Sequence, residues 1–426
     1  MTDPQDVDTV VIGGGQAGLA VGFHLRRCGR AFVVLDADSE IGGSWRRRWD
    51  SLRLFTPAGF SHLPGMPFPA DRRESPTKDA MADYLAAYAR RFALPVELST
   101  VVVAVDRAGA DLRVVATDGR AWQARDVVVA TGAHGRHHVP DLAADIDPAV
   151  LQVHSGQYRR PEQLPTGPVL VVGAGNSGAE IAVDLASPDR QVYLAGRDVG
   201  HVPPLGTWTY PLMRGLGRPG STLARRGLRG GAEPLGRIRP GDLEAAGVRR
   251  VPRVAGTRDG LPLLADGRTL RVAGVVWCTG FRPDHRFVRL PVRDDAGGLI
   301  HHRGVTGAPG LYVVGMPHQS SITSHLVGGV GADARFVVDH LAGRPATTAP
   351  LATVYTRDGC GRCARLVRGL RRRGVSFAQV DIGRAPGAAD AVRAGAGGDA
   401  TAPTVEIGDR WLVAPSAREV VTTAGG

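Results

Sequence analysis

Lysine is all but missing from this chain: Lys78 is the only one, although the formal net charge is +11. Arginine therefore carries the excess, and its densest runs, Arg46-Arg47-Arg48, Arg225-Arg226 and Arg371-Arg372-Arg373, are short and scattered. Aromatics make up only 5% of the residues, so cations interleaved with stacking rings are lacking and no nucleic-acid partner is expected. Also missing is any apolar run near the roughly 20 residues of a membrane span. The opening MTDPQDVDTVVIGGG lacks the basic-then-apolar pattern of a secretory signal. Both absences point to a cytoplasmic protein without a membrane partner. Four cysteines in 426 residues make no disulfide scaffold, and only Cys360 and Cys363 are close in sequence. The pairs His137-His138 and His301-His302 have no Cys or carboxylate company of the kind a metal site needs, so they read as loops and no metal is expected.

What is present is glycine in two ordered settings. VDTVVIGGGQAGLAVGFHLRRCGRAFVVLDAD is an apolar run, a glycine turn, a helix-period segment and a second apolar run ending in Asp36. Gly13, Gly15 and Gly18 give GxGxxG: a tight turn, close approach of backbone to a pyrophosphate, and helix packed on strand. Asp36 stands where a carboxylate accepts hydrogen bonds from a ribose. The arrangement recurs in GPVLVVGAGNSGAEIAVDLASPDRQVYLAGR with Gly173, Gly175 and Gly178, but its second strand ends at Arg197. An arginine there attracts a 2′-phosphate, which favours NADPH over NADH. The strands of VVVATG and VVWCTG end in Thr131-Gly132 and Thr279-Gly280 and would close the two units. A further strand runs to Gly315, ahead of a helix whose glycines approach a ring system. The Arg-, Gly- and Pro-rich residues 201–253 show little periodicity and are expected to be irregular.

The set GGGQAGLA, GGSWRRRWDSLRLFTPAGFSHLPGMPFP, PTKDAMADYLAAYARRF, VVVATG, VVGAGNSGAEIAVDLA and VVWCTGFRPD resembles the class B flavin-containing monooxygenases, in particular their bacterial cation-transport-flavoprotein type. The resemblance implies FAD on the first glycine motif and NADPH on the second, with oxygenation of a soft nucleophile or a carbonyl through a flavin C4a-hydroperoxide. It places Gly13, Gly15, Gly18 and Asp36 on FAD with Gly43, Ser44 and Trp45 close by, and Gly173, Gly175, Asn176, Ser177, Gly178 and Arg197 on NADPH. The family pattern FxGxxxHxxx(F/Y) is met by His154 and Tyr158, whereas Pro148 and Val150 replace its Phe and Gly. Trp45 and Trp49, at helical spacing, read either as core aromatics or, beside the Gly42-Gly43-Ser44 turn, as flavin neighbours, and the turn favours the second. Lys78 is either a surface lysine or an anchor for the nicotinamide side of the cofactor.

Near the end, VYTRDGCGRCARLVRGL is a strand, Cys-Gly-Arg-Cys and a helix with apolar Leu366, Val367 and Leu370. Cys360 at the helix N-terminus is where unpaired N–H groups stabilise a thiolate. The tail is similar to glutaredoxins of the mycoredoxin type, which implies Cys360 as nucleophile, Cys363 as resolving thiol and Pro403 as a cis-proline shaping the thiol pocket. The expected fold is α/β, with two Rossmann-like dinucleotide-binding domains and a C-terminal thioredoxin-like domain. The expected boundaries are 1–150 and 286–345 for the FAD domain, 151–285 for the NADPH domain, 346–352 for a linker and 353–426 for the redoxin. Three functions follow from this organisation. One is a monooxygenase using oxygen and a small substrate, its tail serving a low-molecular-weight thiol (mycothiol or glutathione) or a protein disulfide. The second is a reductase passing electrons to Cys360-Cys363 or a partner disulfide, although residues 1–345 hold no cysteine pair to sit beside the flavin. The third is a flavoenzyme with a sensing or binding tail. A homodimer is allowed by each.

Overall fold

Strand β1 (Gln5–Ile12) is followed by α1 (Gln16–Arg27) and β2 (Phe32–Leu35), the βαβ unit expected from the sequence, in a computed structural model of the chain. It describes residues 4–201, 234–295, 297–343 and 352–424, the last stretch without 374, 376, 386, 408 and 409. The chain divides into two units, residues 1–342 and 343–426.

In the first unit, α2 (Lys78–Arg91) begins at Thr77, whose hydroxyl accepts the Ala80 amide at 3.1 Å, an N-cap that sets where the helix starts. Strands β3 (Val96–Glu97) and β4 (Ala121–Val129) extend the sheet on either side of β1 and β2. The apolar ends of β1, β2 and β4 are continuous rather than alternating because both faces are covered: Val11, Val34 and Val128 pack against helices, and Val10, Val33 and Val127 against Val105, Leu112 and Val114 of an antiparallel hairpin.

The second sheet uses β5 (Leu151–His154), β6 (Val169–Val172), α3 (Asn176–Leu185), β7 (Val192–Ala195), α4 (Pro240–Ala245), β8 (Arg249–Val251) and β9 (Gly274–Trp277). Its order is β8-β7-β6-β9-β5, all parallel. Residues 202–233 of the stretch expected to be irregular lie outside the described residues. Its remainder departs from that expectation: α4 carries a Pro at its first turn, and β8 extends the sheet by pairing with β7. The chain then returns to the first sheet. Strand β10 (Leu311–Val313) pairs with Val127–Val129 of β4, and α5 (Val327–Ala342) lies along α1. At the far end of these helices Arg30 donates to the Leu341 carbonyl at 3.0 Å and to Asp126 at 2.9 Å, where the carboxylate is 1% exposed.

The second unit contains β11 (Ala352–Thr356), α6 (Gly361–Arg372), β12 (Phe377–Asp381), α7 (Ala388–Ala396), β13 (Thr404–Ile407), β14 (Arg410–Val413) and α8 (Ala417–Ala424). Its sheet order is β12-β11-β13-β14, with only β11 and β12 parallel. Leu366, Val367 and Leu370 are buried with Val354, Val405 and Val420, as the helical spacing predicted. Of the linker expected over 346–352 only Ala352 is described, and it opens β11. Among the described residues no helix is long and apolar enough to cross a membrane.

Candidate cofactor clefts and dithiol site

Between β1 and α1 each motif glycine meets a different demand. Gly13 has φ +109°, and a side chain there would lie 2.7 Å from the Ala130 carbonyl oxygen. A Cβ on Gly18 would overlap the Gly13 carbonyl, so this glycine lets α1 pack against the turn. Gly15 faces open space, and α1 starts beside it without a side-chain cap. These N–H groups fit a dinucleotide pyrophosphate. Asp36 accepts the Gly14 and Asp38 amides, and burial raises its pKa. The carboxylate is thus fixed at the cradle wall by the backbone itself.

Around this cradle, Gly315 at the end of β10 has φ +90° and would press a side chain against Ala17 of α1. Thr131 is exposed, and Gly132 has φ +71° with space around it. Gly43 is buried, Ser44 exposed, and Trp45 half-buried against the core. The neighbouring Gly42 has the sterically constrained position, at φ +87°, where a Cβ would lie 2.7 Å from the Ala82 backbone of α2. Trp49 is buried in the core, the first of its two readings. Lys78 is not at the surface. It is 7% exposed and bonds the Arg46 carbonyl at 3.2 Å and Asp79 at 3.0 Å, with Asp50 at 3.8 Å, so it ties down the loop 46–50.

The second glycine motif repeats the construction. Gly173 has φ +106° and abuts the Cys278 carbonyl, Gly178 abuts the Gly173 carbonyl, and Gly175 faces open space. Together with Asn176, Ser177, Gly196, Arg197, Thr279 and Gly280 they line a cleft of 510 Å³. The Asn176 side chain also has a task that the motif did not reveal. Its oxygen accepts the Gly236 amide at 2.9 Å and its nitrogen donates to the Pro234 carbonyl at 3.4 Å. Arg237 then pairs with buried Glu180 at 3.2 Å. Cys278 is a free thiol whose pKa burial pushes up, and Cys28 is free and exposed, which fits small packed or surface side chains better than redox roles.

Where the chain passes between the two sheets, Arg136-His137 pairs with Phe281-Arg282. His137 is therefore in a strand rather than the expected loop, and its ring stacks on His154 at 4.2 Å with Phe281 edge-on to both. His154 Nδ1 accepts the Gly156 amide at 3.1 Å, which leaves Nε2 to donate to the Gly280 carbonyl at 3.0 Å. Burial, and after it the His137 ring, pushes the His154 pKa down from 6.5 to about 4. The unfolded chain consequently binds the extra proton between these values, so the stabilisation is complete above the unfolded pKa and is lost as pH falls toward the folded one. Melting temperature is expected to drop over that window, and to drop less in His154→Gln; an unchanged pH dependence in the variant would assign the acid sensitivity elsewhere. Tyr158, fully buried, donates to Asp184 at 2.6 Å. Among the described residues no cluster of His, Cys, Asp and Glu suits a metal.

In the second unit Cys360 and Cys363 form a disulfide at the start of α6. Cys360 is half-buried and Cys363 is 4% exposed, so attack from outside reaches Cys360 first. The Cys363 amide donates to Cys360 Sγ at 3.1 Å, the contact that a thiolate there requires. Pro403 follows a cis peptide bond, and the Ala402 carbonyl lies 3.8 Å from Cys360 Sγ. A hollow of 270 Å³ beside them is lined by Arg362, Arg365, Pro403 and Ser416.

Comparison with known proteins places these sites in context. Residues 10–203 match the pyridine nucleotide-disulphide oxidoreductase family, and residues 352–412 match glutaredoxin. A CzcO-like oxidoreductase of Geobacillus kaustophilus is 39% identical over 346 residues, spanning 79% of this chain and 98% of its own. The oxidoreductase CzcO of Bacillus subtilis is 34% identical over 79% of this chain and 99% of its own. The solved flavin-containing monooxygenase from Stenotrophomonas maltophilia shares 32% identity with a TM-score of 0.67, covering 79% of this chain and 98% of that one.

Proposed function

Since this chain belongs to the CzcO-like family of flavin-monooxygenase-type oxidoreductases and ends in a glutaredoxin domain, we propose that it is an NADPH- and FAD-dependent monooxygenase of a small substrate with a soft nucleophilic atom or a carbonyl. The observation that carries this reading is the pair of glycine cradles within one unit, the second rimmed by Arg197. Bound flavin supplies hydride acceptance and oxygen activation. The chain itself directs backbone N–H groups of the Gly15 and Gly175 turns at the two pyrophosphates, holds Asp36 toward the FAD ribose and offers Arg197 to the 2′-phosphate. Overall, NADPH, a proton and oxygen convert the substrate to its oxygenated product, with NADP+ and water released.

The test combines labelled oxygen with a cofactor comparison. Turnover of methyl phenyl sulfide under ¹⁸O₂ is expected to place one labelled atom in the sulfoxide for each NADPH used. Arg197→Gln should raise the KM for NADPH about tenfold and leave that for NADH unchanged, the cost of one charge-assisted phosphate contact. Electrons appearing entirely as hydrogen peroxide would count against oxygenation. A reductase reading has one observation behind it, the outward sulfur of Cys360, and it needs electrons to reach that sulfur without a second cysteine pair: Cys28 and Cys278 are both unpaired.

A further inference from the structure

We propose that Arg48 and Arg159 bind a carboxylate of the substrate at the seam between the two cofactor cradles. This rests on the monooxygenase reading and adds the substrate class, a small organic acid held by its carboxylate.

The three consecutive arginines after Trp45 are treated unequally. Arg46 is paired with Glu40 at 3.0 Å and Asp83 at 2.6 Å, and Arg47 with Asp38 at 2.6 Å. Arg48 is half-buried, its guanidinium carbon 5.6 Å from the centre of the Phe281 ring. Among the described residues its guanidinium has no hydrogen bond and no ion pair, while its backbone N–H donates to the Trp45 carbonyl at 3.0 Å. Arg159, also half-buried, uses one nitrogen on the carbonyls of Gly156 and Tyr158, at 3.0 and 2.8 Å, and forms no ion pair among the described residues. The nearby His154 adds no charge at neutral pH, because burial keeps it unprotonated.

The Phe281 ring under Arg48 also packs edge-on against His154 at 4.9 Å, two residues before the Gly156 carbonyl that Arg159 bonds, so the two guanidiniums share one neighbourhood. The Asp50 charge acts on Arg159 without an ion pair among the described residues, whereas Arg48 loses hydration and feels the like charges of Arg159 and Arg47. The physical signature is present: burial and then the Arg159 charge hold the Arg48 pKa below its ordinary value. An anion seated between them relieves both costs, and the planar guanidinium fork suits a carboxylate. The dinucleotide phosphates have their own cradles at Gly13–Gly18 and Gly173–Gly178, with Arg197 for a 2′-phosphate. The anion left to be accounted for is therefore that of the third ligand. The location agrees. Phe281 directly follows Gly280 of the dinucleotide cleft, and Arg48 is three residues beyond Trp45 in the turn beside the first cradle. The Phe281 ring offers an apolar surface to the body of the acid.

The experiment is calorimetric binding to the full-length flavoprotein of two probes of equal shape, phenylacetate and its neutral amide, so it does not depend on turnover. Wild type is expected to bind phenylacetate about tenfold or more tightly than phenylacetamide, the scale of one charge-assisted contact. In Arg48→Gln and in Arg159→Gln the ratio should fall toward one with the KM for NADPH unchanged, and in Arg48→Lys it should be partly kept. Flavin content per chain reports whether each variant is folded. A ratio near one in wild type, or failure of both probes to bind, overturns the proposal. So does a raised KM for NADPH in Arg48→Gln with the probe ratio intact, which would assign the guanidinium to the dinucleotide. Loss of oxygenation with the ratio intact would refute the monooxygenase reading and leave this site standing.

Discussion

Cys360→Ser should abolish reduction of hydroxyethyl disulfide by the pre-reduced protein, a fall on the order of a thousandfold or more, the scale on which removal of a nucleophile acts. The sulfur that faces outward is that of Cys360, and the Cys363 amide at 3.1 Å is aimed at it. Serine keeps the size and loses the nucleophile, because a hydroxyl is not ionised at neutral pH. Cys363→Ser should behave differently. It leaves the attacking sulfur in place and is expected to trap a mixed disulfide with the probe, visible by mass spectrometry. NADPH oxidation in the first unit should stay within about twofold in both variants, as expected of sites in separately folded units. That last measurement also separates the functions. NADPH-driven disulfide reduction that vanishes in Cys360→Ser would establish the tail as an electron exit. Its persistence would exclude that route, and disulfide exchange that persists would move the nucleophile elsewhere.

The second large effect concerns a single methyl group. A Cβ at Gly18 or at Gly178 would overlap the carbonyl oxygen of Gly13 or Gly173, and that obstacle is backbone rather than a side chain able to turn aside. Overpacking commonly costs about 1–3 kcal/mol and more where nothing can yield, and here it pushes the helix N-terminus away from the phosphate it should face. Gly18→Ala is expected to be purified nearly free of flavin. Gly178→Ala should keep its flavin and lose NADPH reduction, seen as a failure of the flavin absorbance to bleach. Gly15→Ala and Gly175→Ala face open space in the same cradles, so they test cofactor approach without disturbing helix packing. Equal flavin content in Gly18→Ala and wild type would remove FAD from the first cradle.

Much of this was legible because dinucleotide cradles are local. Strand, turn and helix follow one another within about thirty residues, and each glycine answers a constraint set by its near neighbours. The same holds for Cys360-Gly-Arg-Cys363, where one helical turn sets both the spacing of the sulfurs and the amide that meets them. Asn176 shows where this stops. The motif marks it as a cofactor residue, but its amide is bonded to Pro234 and Gly236, about sixty residues away. Lys78 shows the same: it is the sole lysine, and its contacts with Arg46, Asp79 and Asp50 hold a loop.

The sequence by itself determined the two glycine cradles, with Arg197 at the rim of the second, and the dithiol turn, since each depends on contacts within a short stretch of chain. Only the tertiary structure decided that Val127–Val129 pairs with Leu311–Val313, that His137 stacks on His154, and that Arg48, alone of three adjacent arginines, turns inward over Phe281. These partners lie between about twenty and two hundred and thirty residues apart. Which of them meet is set by how the sheets close around their cores, a packing outcome that local propensity and spacing do not encode.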